Sequence, residues 1–385
     1  MDLPKPERPT RLIVDDEPEI RMGLKDYLIG RGMQVCGAIL AVTLAGCATV
    51  GPVISRAEYE AAQDGLTAKA LQFRYSQTVR VQMVGLRLLR ALPPEVARHP
   101  TPLIGVLLGQ LDRHLANAFG VPAEAARAGG RPRRAVVVTG VVPGEPADRA
   151  GLKPGDLLLS IHGRPCSLVA EAVAVLRQLA PGTRVSAVYE REGVLHQTAV
   201  DVGAKPYPVG FTLLTDGEEA QLWNAWASPG QITVTSRLLE FMRSDDELAI
   251  IVGHELAHLT RGHLVKGFGT STVGNVIAIA IEKATGVGVL GDLTGGVFHS
   301  AFSREFEREA DYVGFQYAHR AGFDITVGPR LWERVATELP RGVTVPWLST
   351  HPSDPERMVR LQKAVEAIMH QESSAAPARH PPRPD

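Results

Sequence analysis

Three histidines and one glutamate lie within the eleven residues 253-GHELAHLTRGH-263. On a helix, His254 and His258 are one turn apart, so their imidazoles point in the same direction. Glu255 lies about 100° further round the helix, where its carboxylate can reach a water on a metal ion held by both histidines. The spacing H-E-x-x-H therefore predicts a metal site that activates water. The alternative is a chance pattern of polar residues on a surface helix.

The sequence also predicts where this helix begins and ends. Ser244 and Glu247 form the S-x-x-E pattern of a capping box, which starts a helix, and Gly262 is a helix stop. Apolar residues recur between them at helical spacing. His263 comes nine residues after His254, which puts it on roughly the opposite face at about 100° per residue. We therefore exclude His263 from the metal site.

A catalytic zinc site needs three protein ligands and one open position. The segment 303-SREFEREADYVGFQYAHRAG-322 also has the pattern of a helix, with a serine at its start as a possible N-cap. Glu307 and Asp311 lie one turn apart on one face of it. We expect Glu307 to be the third ligand and Asp311 to bond to a ligand histidine and fix its tautomer. Glu305 and Glu309 point elsewhere and are expected to be solvated.

The motifs HELAH and EREAD, followed by 351-HPSDPER-357, resemble the gluzincin peptidases that include the CAAX-processing endopeptidases and the heat-shock protease HtpX. The likeness is closest to the soluble, lipoprotein-type members. It implies an α+β fold, with a mostly helical zincin-type peptidase core and a small edge sheet. Residues 224–227 are the candidate edge strand, beside which an extended peptide substrate would bind.

By this resemblance the ligands of one Zn²⁺ per chain are His254, His258 and Glu307, and Glu255 is the catalytic base. His351 matches the late histidine of the family. It is a candidate catalytic residue that either stabilises the oxyanion or occupies the open metal position. A helix-capping or surface role for His351 is the alternative.

The chemistry implied is hydrolysis of a peptide bond. Zinc acidifies water and polarises the carbonyl, while Glu255 takes the proton of the attacking water and passes it to the leaving amine. Arg357 is expected to anchor the segment around His351 by pairing with an acidic side chain that the sequence does not identify.

A second resemblance begins upstream, in a stretch rich in valine, glycine and proline. The segment 136-VVVTGVVPGEPADRAGLKPGDLLLSIHGRPCS-167 resembles a bacterial PDZ domain of the kind attached to periplasmic serine proteases. It predicts a mainly β domain inserted within the peptidase domain, which accepts peptide C-termini. The alternative is a closed groove that serves only for docking. The backbone N–H groups expected to bind the terminal carboxylate are those of Leu103, Ile104, Gly105 and Val106.

The N-terminal segment 12-LIVDDEPEIRMGLKDYLIGRGM-33 resembles the first strand and helix of a response-regulator receiver. The later strands of a receiver are missing, so we predict that residues 1–32 are not a folded domain. An apolar run over residues 36–46 follows and is too short for a typical membrane span. Translation is expected to start at Met22 or Met33, or a receiver fragment has been joined upstream.

The apolar run ends in Leu-Ala-Gly-Cys, which resembles a bacterial lipobox. Residues 33–47 would then be a signal segment, with Cys47 lipidated as the first mature residue. A buried helix of a soluble domain is the alternative. Cys166 would be the one cysteine left in the mature chain, so no intrachain disulfide is expected. Ala48 after the lipidated cysteine favours anchoring to the outer membrane, facing the periplasm.

The other segments are less specific. Residues 52–100 are expected to be helical, with arginines on a solvated face. Residues 264–302 contain many glycines and are expected to form a mobile helical hairpin. The predicted organisation is a receiver-like fragment over 1–32, a signal segment over 33–47, a metallopeptidase domain over 56–100 and 204–371, a PDZ domain over 101–203 and a disordered tail over 372–385.

The composition is that of an ordinary globular protein, with 385 residues, 44% apolar and 22% charged. The net charge of −1 gives no reason to expect a nucleic-acid partner. We therefore expect a zinc endopeptidase acting on envelope proteins, with a PDZ domain for substrate or partner tails and a lipid anchor in the membrane. The alternative is a PDZ adaptor or chaperone-like scaffold whose zinc site is silent or gated. The oligomeric state is left open.

Overall fold

The computed structural model describes residues 54–98, 100–128, 131–267, 302–338, 351 and 355–375. The receiver-like fragment, the signal segment with Cys47 and most of the glycine-rich segment lie outside these residues. The chain divides into two compact units, Met1–Ala61 and Ala62–Asp385. The described residues combine helices with several sheets, which is a mixed α+β architecture. None of the described helices has the length and apolar character needed to cross a membrane.

Helix α1 spans Arg56–Arg90, shorter than the helical stretch predicted. Its last turns carry buried apolar side chains such as Val84, Leu88 and Leu89 into the core of the peptidase part. Each such side chain stabilises the fold by about 1.5–3 kcal/mol when fully buried. The C-terminal half of α1 is therefore an integral part of that core.

The arginines of α1 lie on exposed or half-exposed positions, as expected, but they also make contacts that were not predicted. Arg80 pairs with Asp245 at 2.6 Å, and Arg87 donates to the carbonyl of Ala321 at 2.6 Å. Other arginines of the helix, Arg74 and Arg90, pair with Asp216 and Glu145. These side chains tie the helix to several other elements because guanidinium groups reach both carboxylates and carbonyls.

After α1, the chain forms a mainly β region, which is called the β unit below and is part of the second compact unit. Its elements are β1 (Thr101–Leu103), β2 (Val106–Gln110), α2 (Arg113–Ala118), β3 (Arg127–Ala128), β4 (Arg131–Pro132), β5 (Val136–Val141), α3 (Pro146–Arg149), β6 (Leu157–Ile161), β7 (Arg164–Pro165), α4 (Val169–Gln178), β8 (Arg184–Arg191) and β9 (Val194–Asp201). In the described residues, the main sheet has the order β2-β5-β6-β8-β9, with β7 beside β6. All its strand pairs are antiparallel.

The two ends of this β unit lie side by side. Strand β1 pairs in antiparallel fashion with β10 (Gly203–Lys205), and Leu103 is opposite Gly203 in the register. The chain therefore enters and leaves the β unit at one point, as expected for an insertion.

The second half of the chain begins with β11 (Gly210–Leu214), β12 (Ala225–Ser228) and β13 (Gln231–Thr235). Within the described residues they form a sheet of order β11-β13-β12, in which β11 runs parallel and β12 antiparallel to β13. Strand β12 includes residues 225–227 of the predicted substrate edge. In the described part of the chain, it pairs with β13 on one side. The sheet packs against the helix that carries the H-E-x-x-H motif.

Six helices follow in the described part of the chain: α5 (Ser236–Phe241), α6 (Asp245–Thr260), α7 (His263–Gly267), α8 (Arg304–Arg320), α9 (Gly328–Glu338) and α10 (Pro355–Ala375). Helices α6 and α8 make an extensive contact with each other. Helix α10 continues through Ala375, so the expectation that disorder begins at residue 372 was wrong for its first residues. The remainder of that predicted tail lies outside the described residues.

Candidate metal centre

Helix α6 presents the two histidines of the motif to the protein interior. Ser244 caps it as predicted, with its hydroxyl accepting from the N–H of Glu247 at 3.2 Å. The glutamate does not complete the box at Ser244, because its carboxylate accepts from the N–H of Arg243 instead, at 2.7 Å. His254 and His258 are buried, and their Nε2 atoms are 3.1 Å apart. Both rings therefore offer one nitrogen to the same point.

Helix α8 brings the third predicted ligand to that point. Ser303 caps this helix through the N–H of Phe306. The Glu307 carboxylate is buried, with oxygens 3.4 Å from Nε2 of His258 and 3.5 Å from Nε2 of His254. The residues predicted as a ligand set from two separate segments thus converge in space.

Two glycines allow α6 and α8 to approach this closely. A Cβ atom on Gly314 would lie 2.7 Å from the backbone nitrogen of His254 and 2.9 Å from the carbonyl carbon of Gly253. Any larger residue would meet backbone, which cannot rotate away. Neither glycine was recognised from the sequence, although glycines inside helical patterns often mark close packing.

His351 joins the three predicted ligands. Its Nδ1 atom lies 2.9 Å from the carboxylate of Glu307 and 3.1 Å from Nε2 of His254. Among the residues that the structure describes, four ligand atoms lie within 4.8 Å of one another, on His254, His258, Glu307 and His351. The alternative, a surface or capping role for His351, does not fit the structure, because its side chain is buried in this cluster.

The donor set suits zinc. Imidazole nitrogens and a carboxylate are ordinary zinc ligands, and bonds of about 2.0–2.1 Å give a tetrahedron with edges of about 3.3 Å. Five of the six donor separations are 2.9–3.5 Å and match those edges. All four donors lie within 4.8 Å of one another, so the set suits one zinc ion.

The protonation states of two candidate ligands, His258 and Glu307, suit a metal, whereas His254 must lose a proton to bind one. Burial, together with His254 and His351, lowers the pKa of His258 to about 3. Burial alone would raise the pKa of Glu307, but His351, His254 and His258 hold it well below its ordinary value. Burial alone would lower the pKa of His254, which Asp311 and Glu307 raise to about 9. An ionised Glu307 and a neutral His258 are the forms that bind a metal.

Asp311 lies where the sequence predicted, behind a ligand histidine. Its Oδ1 atom is 2.9 Å from Nδ1 of His254. Arg357 donates to both oxygens of Asp311, at 2.9 and 2.7 Å, and to the carbonyl of His351 at 3.0 Å. The acidic partner that the sequence left unidentified for Arg357 is therefore Asp311, and this arginine connects His351 to the back of His254.

Replacing Arg357 with alanine should destabilise the protein by about 3–5 kcal/mol, since it leaves the Asp311 carboxylate buried without its main cation. Urea unfolding of the purified variant measures this loss. The double variant Arg357→Ala/Asp311→Asn should recover part of it, because the uncompensated charge is gone. Equal stability of the single and double variants would contradict this account.

The exclusion of His263 rested on a helix that does not continue. Helix α6 ends at Thr260, and Gly262 takes a φ of 70° before α7 begins at His263. The turn brings Nδ1 of His263 to 3.1 Å from Nδ1 of His258. His263 is thus not among the four donors but contacts one of them. The predicted helix stop at Gly262 was the signal that the position of His263 could not be found by continuing the helix.

Glu309 is partly exposed, as predicted, but it also makes contacts that were not predicted. Its carboxylate lies 3.0 Å from Nε2 of His263 and accepts from Arg261 at 2.5 Å. Glu305, by contrast, is exposed as expected.

Glu255, the predicted base, is buried beside the donor cluster and is not part of it. Its Oε1 atom lies 3.4 Å from Nε2 of His351. This position puts a carboxylate next to the metal site, where it can exchange a proton with a reacting group.

The predicted peptide-binding loop connects β1 and β2. Its four residues, Leu103, Ile104, Gly105 and Val106, are half-buried. Gly105 has a φ of 76°, and a Cβ atom there would collide with the side chain of Glu145. Glu145 is buried and pairs with Arg90 of α1. The loop therefore packs on Glu145, which in turn is ion-paired to helix α1.

Comparisons with known proteins agree with both parts of this arrangement. Residues 190–365 match the model of Peptidase family M48, and residues 137–191 match the model of a PDZ domain. Mitochondrial metalloendopeptidase OMA1 of Saccharomyces cerevisiae is 29% identical over 147 residues, which are 36% of this chain and 43% of OMA1. Metalloprotease LoiP of Escherichia coli is 28% identical over 151 residues, which are 37% of this chain and 59% of LoiP.

A further relative is named as a serine protease and not as a metalloprotease. A probable periplasmic serine endoprotease, DegP-like, of Hahella chejuensis is 33% identical over 103 residues, 27% of this chain and 20% of that protein. The chain thus spans less than two thirds of each of these relatives. The buried His-His-Glu-His cluster lies within residues 190–365, which resemble Peptidase family M48, and residues 137–191 resemble a PDZ domain. These similarities support a metalloendopeptidase with a PDZ domain.

Proposed function

We propose that this protein is a zinc-dependent endopeptidase that binds one Zn²⁺ per chain. The observation that carries the proposal is the buried cluster of His254, His258, Glu307 and His351 with the carboxylate of Glu255 beside it. A purely structural zinc site has no use for an additional buried acid that is not a ligand. The names of the metalloendopeptidase and metalloprotease relatives support the same activity.

In the proposed reaction, the side chains of this chain place and protonate the reactants. Bound zinc supplies a Lewis acid that polarises the peptide carbonyl and acidifies water. Glu255 accepts a proton from the attacking water and donates it to the leaving amine, so that one peptide bond and one water become a carboxylate and an amine. Asp311 keeps His254 in the orientation that binds metal. Strand β12 offers an edge to which an extended substrate adds by main-chain hydrogen bonds.

We also propose that the PDZ domain takes the C-terminal tails of substrates or partners, through the loop of Leu103, Ile104, Gly105 and Val106. Envelope proteins are the proposed substrate class. A lipid on Cys47 would hold the enzyme to the periplasmic face of the outer membrane. The match to a periplasmic DegP-like protein supports this location, and the intact mass of the native protein would measure the lipid and the first residue together.

Metal removal tests the proposed activity directly. The purified protein should contain one zinc per chain and cleave an unfolded substrate such as casein. A chelator should abolish cleavage, and zinc should restore it. Zinc in thousandfold excess over its Kd should raise the free energy of unfolding by about 4 kcal/mol. A zinc-loaded protein that cleaves none of a broad panel of unfolded proteins would argue against an endopeptidase.

A second candidate function, a scaffold with a gated zinc site, is favoured by one observation. His351 lies where the fourth ligand of a tetrahedral site would lie, and a fully occupied site has no position for water or substrate. If His351 always occupies the fourth position, the protein is a PDZ scaffold with a silent zinc site. We propose instead that the protein is an enzyme which is active only when His351 moves away from the metal.

Replacing His351 with alanine should raise casein cleavage. If the site is open about a tenth of the time, removing the fourth ligand gives about a tenfold increase. His114→Ala, at an exposed histidine of α2, is the matched control. A fall of about 10²–10³-fold would instead assign His351 to stabilising the oxyanion.

A further inference from the structure

His263 is held rigidly beside the metal centre without being a donor in it. It begins helix α7, immediately after the turn at Gly262, and its side chain is fully buried. Its ring stacks on Phe306 with centroids 4.4 Å apart and planes 10° from parallel. Stacking restricts the plane of the ring, and its two nitrogens face His258 on one side and Glu309 on the other.

Those partners determine the proton positions. Nε2 of His258 faces the donor cluster and must be unprotonated to bind a metal. Nδ1 of His258 then carries the proton and donates it to Nδ1 of His263, 3.1 Å away. His263 in turn must carry its own proton on Nε2, which faces Glu309 at 3.0 Å. Each nitrogen in this series of hydrogen bonds therefore has one defined role, as donor or as acceptor.

Glu309 ends this chain in a solvent-facing ion pair. Its side chain is 32% exposed and pairs with Arg261, which is 47% exposed. The other ligand histidine has a parallel arrangement, since His254 faces Asp311, which pairs with Arg357. Helix α8 therefore supplies one ligand and two outer carboxylates, at positions 307, 309 and 311 of the EREAD motif.

The difference between the two sides is the additional imidazole. Asp311 contacts His254 directly, whereas Glu309 contacts His263, which in turn contacts Nδ1 of His258. A buried N–H without an acceptor costs about 1–3 kcal/mol, and that cost would fall on the tautomer of His258 that binds metal. His263 supplies the acceptor.

We propose that His263 is a positioning residue which, oriented by Glu309, fixes the metal-binding tautomer of His258. The proposal rests on the zinc site of the proposed function. It assigns a role in metal affinity to two residues outside the donor cluster, and it requires no change in the identity of the ligands.

Two substitutions of His263 separate its acceptor from its bulk. His263→Phe keeps a ring that can stack on Phe306 but has no acceptor for the proton of His258. His263→Asn has an amide oxygen that can take the place of Nδ1. The full chain of each variant is titrated with zinc against a chelator of known affinity. The phenylalanine variant should bind zinc about 10–100-fold more weakly, and the asparagine variant should recover most of that loss.

A spectroscopic readout tests the tautomer itself. With ¹⁵N-labelled histidine and bound zinc, the parent should show His258 protonated at Nδ1 and His263 protonated at Nε2. In the asparagine variant the His258 signals should stay close to those of the parent. A phenylalanine variant with the parent's zinc affinity and unchanged His258 signals would overturn the proposal.

Glu309→Ala provides a test that does not depend on replacing a buried residue. Glu309 is partly exposed, so the variant should fold, and Glu305→Ala removes the same charge from an exposed position of the same helix. Weaker zinc binding in Glu309→Ala than in Glu305→Ala supports the proposal, and equal binding contradicts it. If the parent binds zinc but cleaves nothing, the proposed endopeptidase activity fails while these affinities still decide the role of His263.

Discussion

Replacing Glu255 with glutamine should leave one zinc bound per chain and lower peptide cleavage by about 10²–10⁴-fold. Glutamine has nearly the same shape as glutamate but cannot accept the proton of the attacking water. Glu255 lies outside the donor cluster, so its loss should not weaken metal binding. Zinc content by mass spectrometry and initial rates of casein cleavage, measured on the same preparation, check both halves of the expectation.

Glu240→Gln makes the same chemical change on a side chain that is 61% exposed in the neighbouring helix α5. It should cleave at the parent rate. Cleavage by Glu255→Gln at the parent rate would remove the proposed base. Loss of zinc in that variant would show instead that this carboxylate helps to hold the metal.

Alanine at Gly314 should cause the second large effect, on both stability and metal binding. The new Cβ would lie 2.7 Å from the backbone nitrogen of His254, so α6 and α8 must separate. Overpacking of this kind costs about 1–3 kcal/mol, and more when backbone must move. Because Glu307 is on α8 and the two histidines are on α6, separation also stretches the ligand set. A misplacement of about 1 Å can cost 10²-fold in rate.

Gly65→Ala is the matched control for this prediction. Gly65 lies in the interior of α1, and a Cβ there would meet nothing within 4 Å. Alanine should therefore stabilise the protein by about 0.5–1 kcal/mol. Urea unfolding and zinc titration of the two variants measure both effects. Parent-like zinc affinity in Gly314→Ala would show that the close approach of the helices is not needed to position the ligands.

Within each helix, the candidate ligands were predictable because their placement depends on local rules. Capping residues marked the start of both zinc helices, and helical spacing put His254 beside His258 and Glu307 in line with Asp311. The link between the two helices came from the family resemblance, since spacing within one helix carries no information about another. The pairing of Arg357 with Asp311 was likewise left open, because it joins residues 46 positions apart.

The errors and omissions have a common physical origin. His263 was placed by continuing α6 past Gly262, although a glycine with positive φ ends helices and reverses the direction of the side chains that follow. Glu309 was assigned to solvent from its position on the helical wheel, which gives no information about its contact with His263. The ion pairs of the α1 arginines were not predicted because their partners lie far away in the sequence. In each case the missing information was a tertiary contact.

The pairing of β1 with β10 has a consequence for the architecture of the whole chain. Antiparallel neighbours have Cα atoms about 4.5–5.5 Å apart, and Leu103 is opposite Gly203. A tight turn could bridge that gap, so the intervening hundred or so residues behave as a removable cassette. Exchanging one such cassette for another would leave the topology of the peptidase part unchanged, so any change in the proposed tail specificity would be separable from the hydrolytic residues.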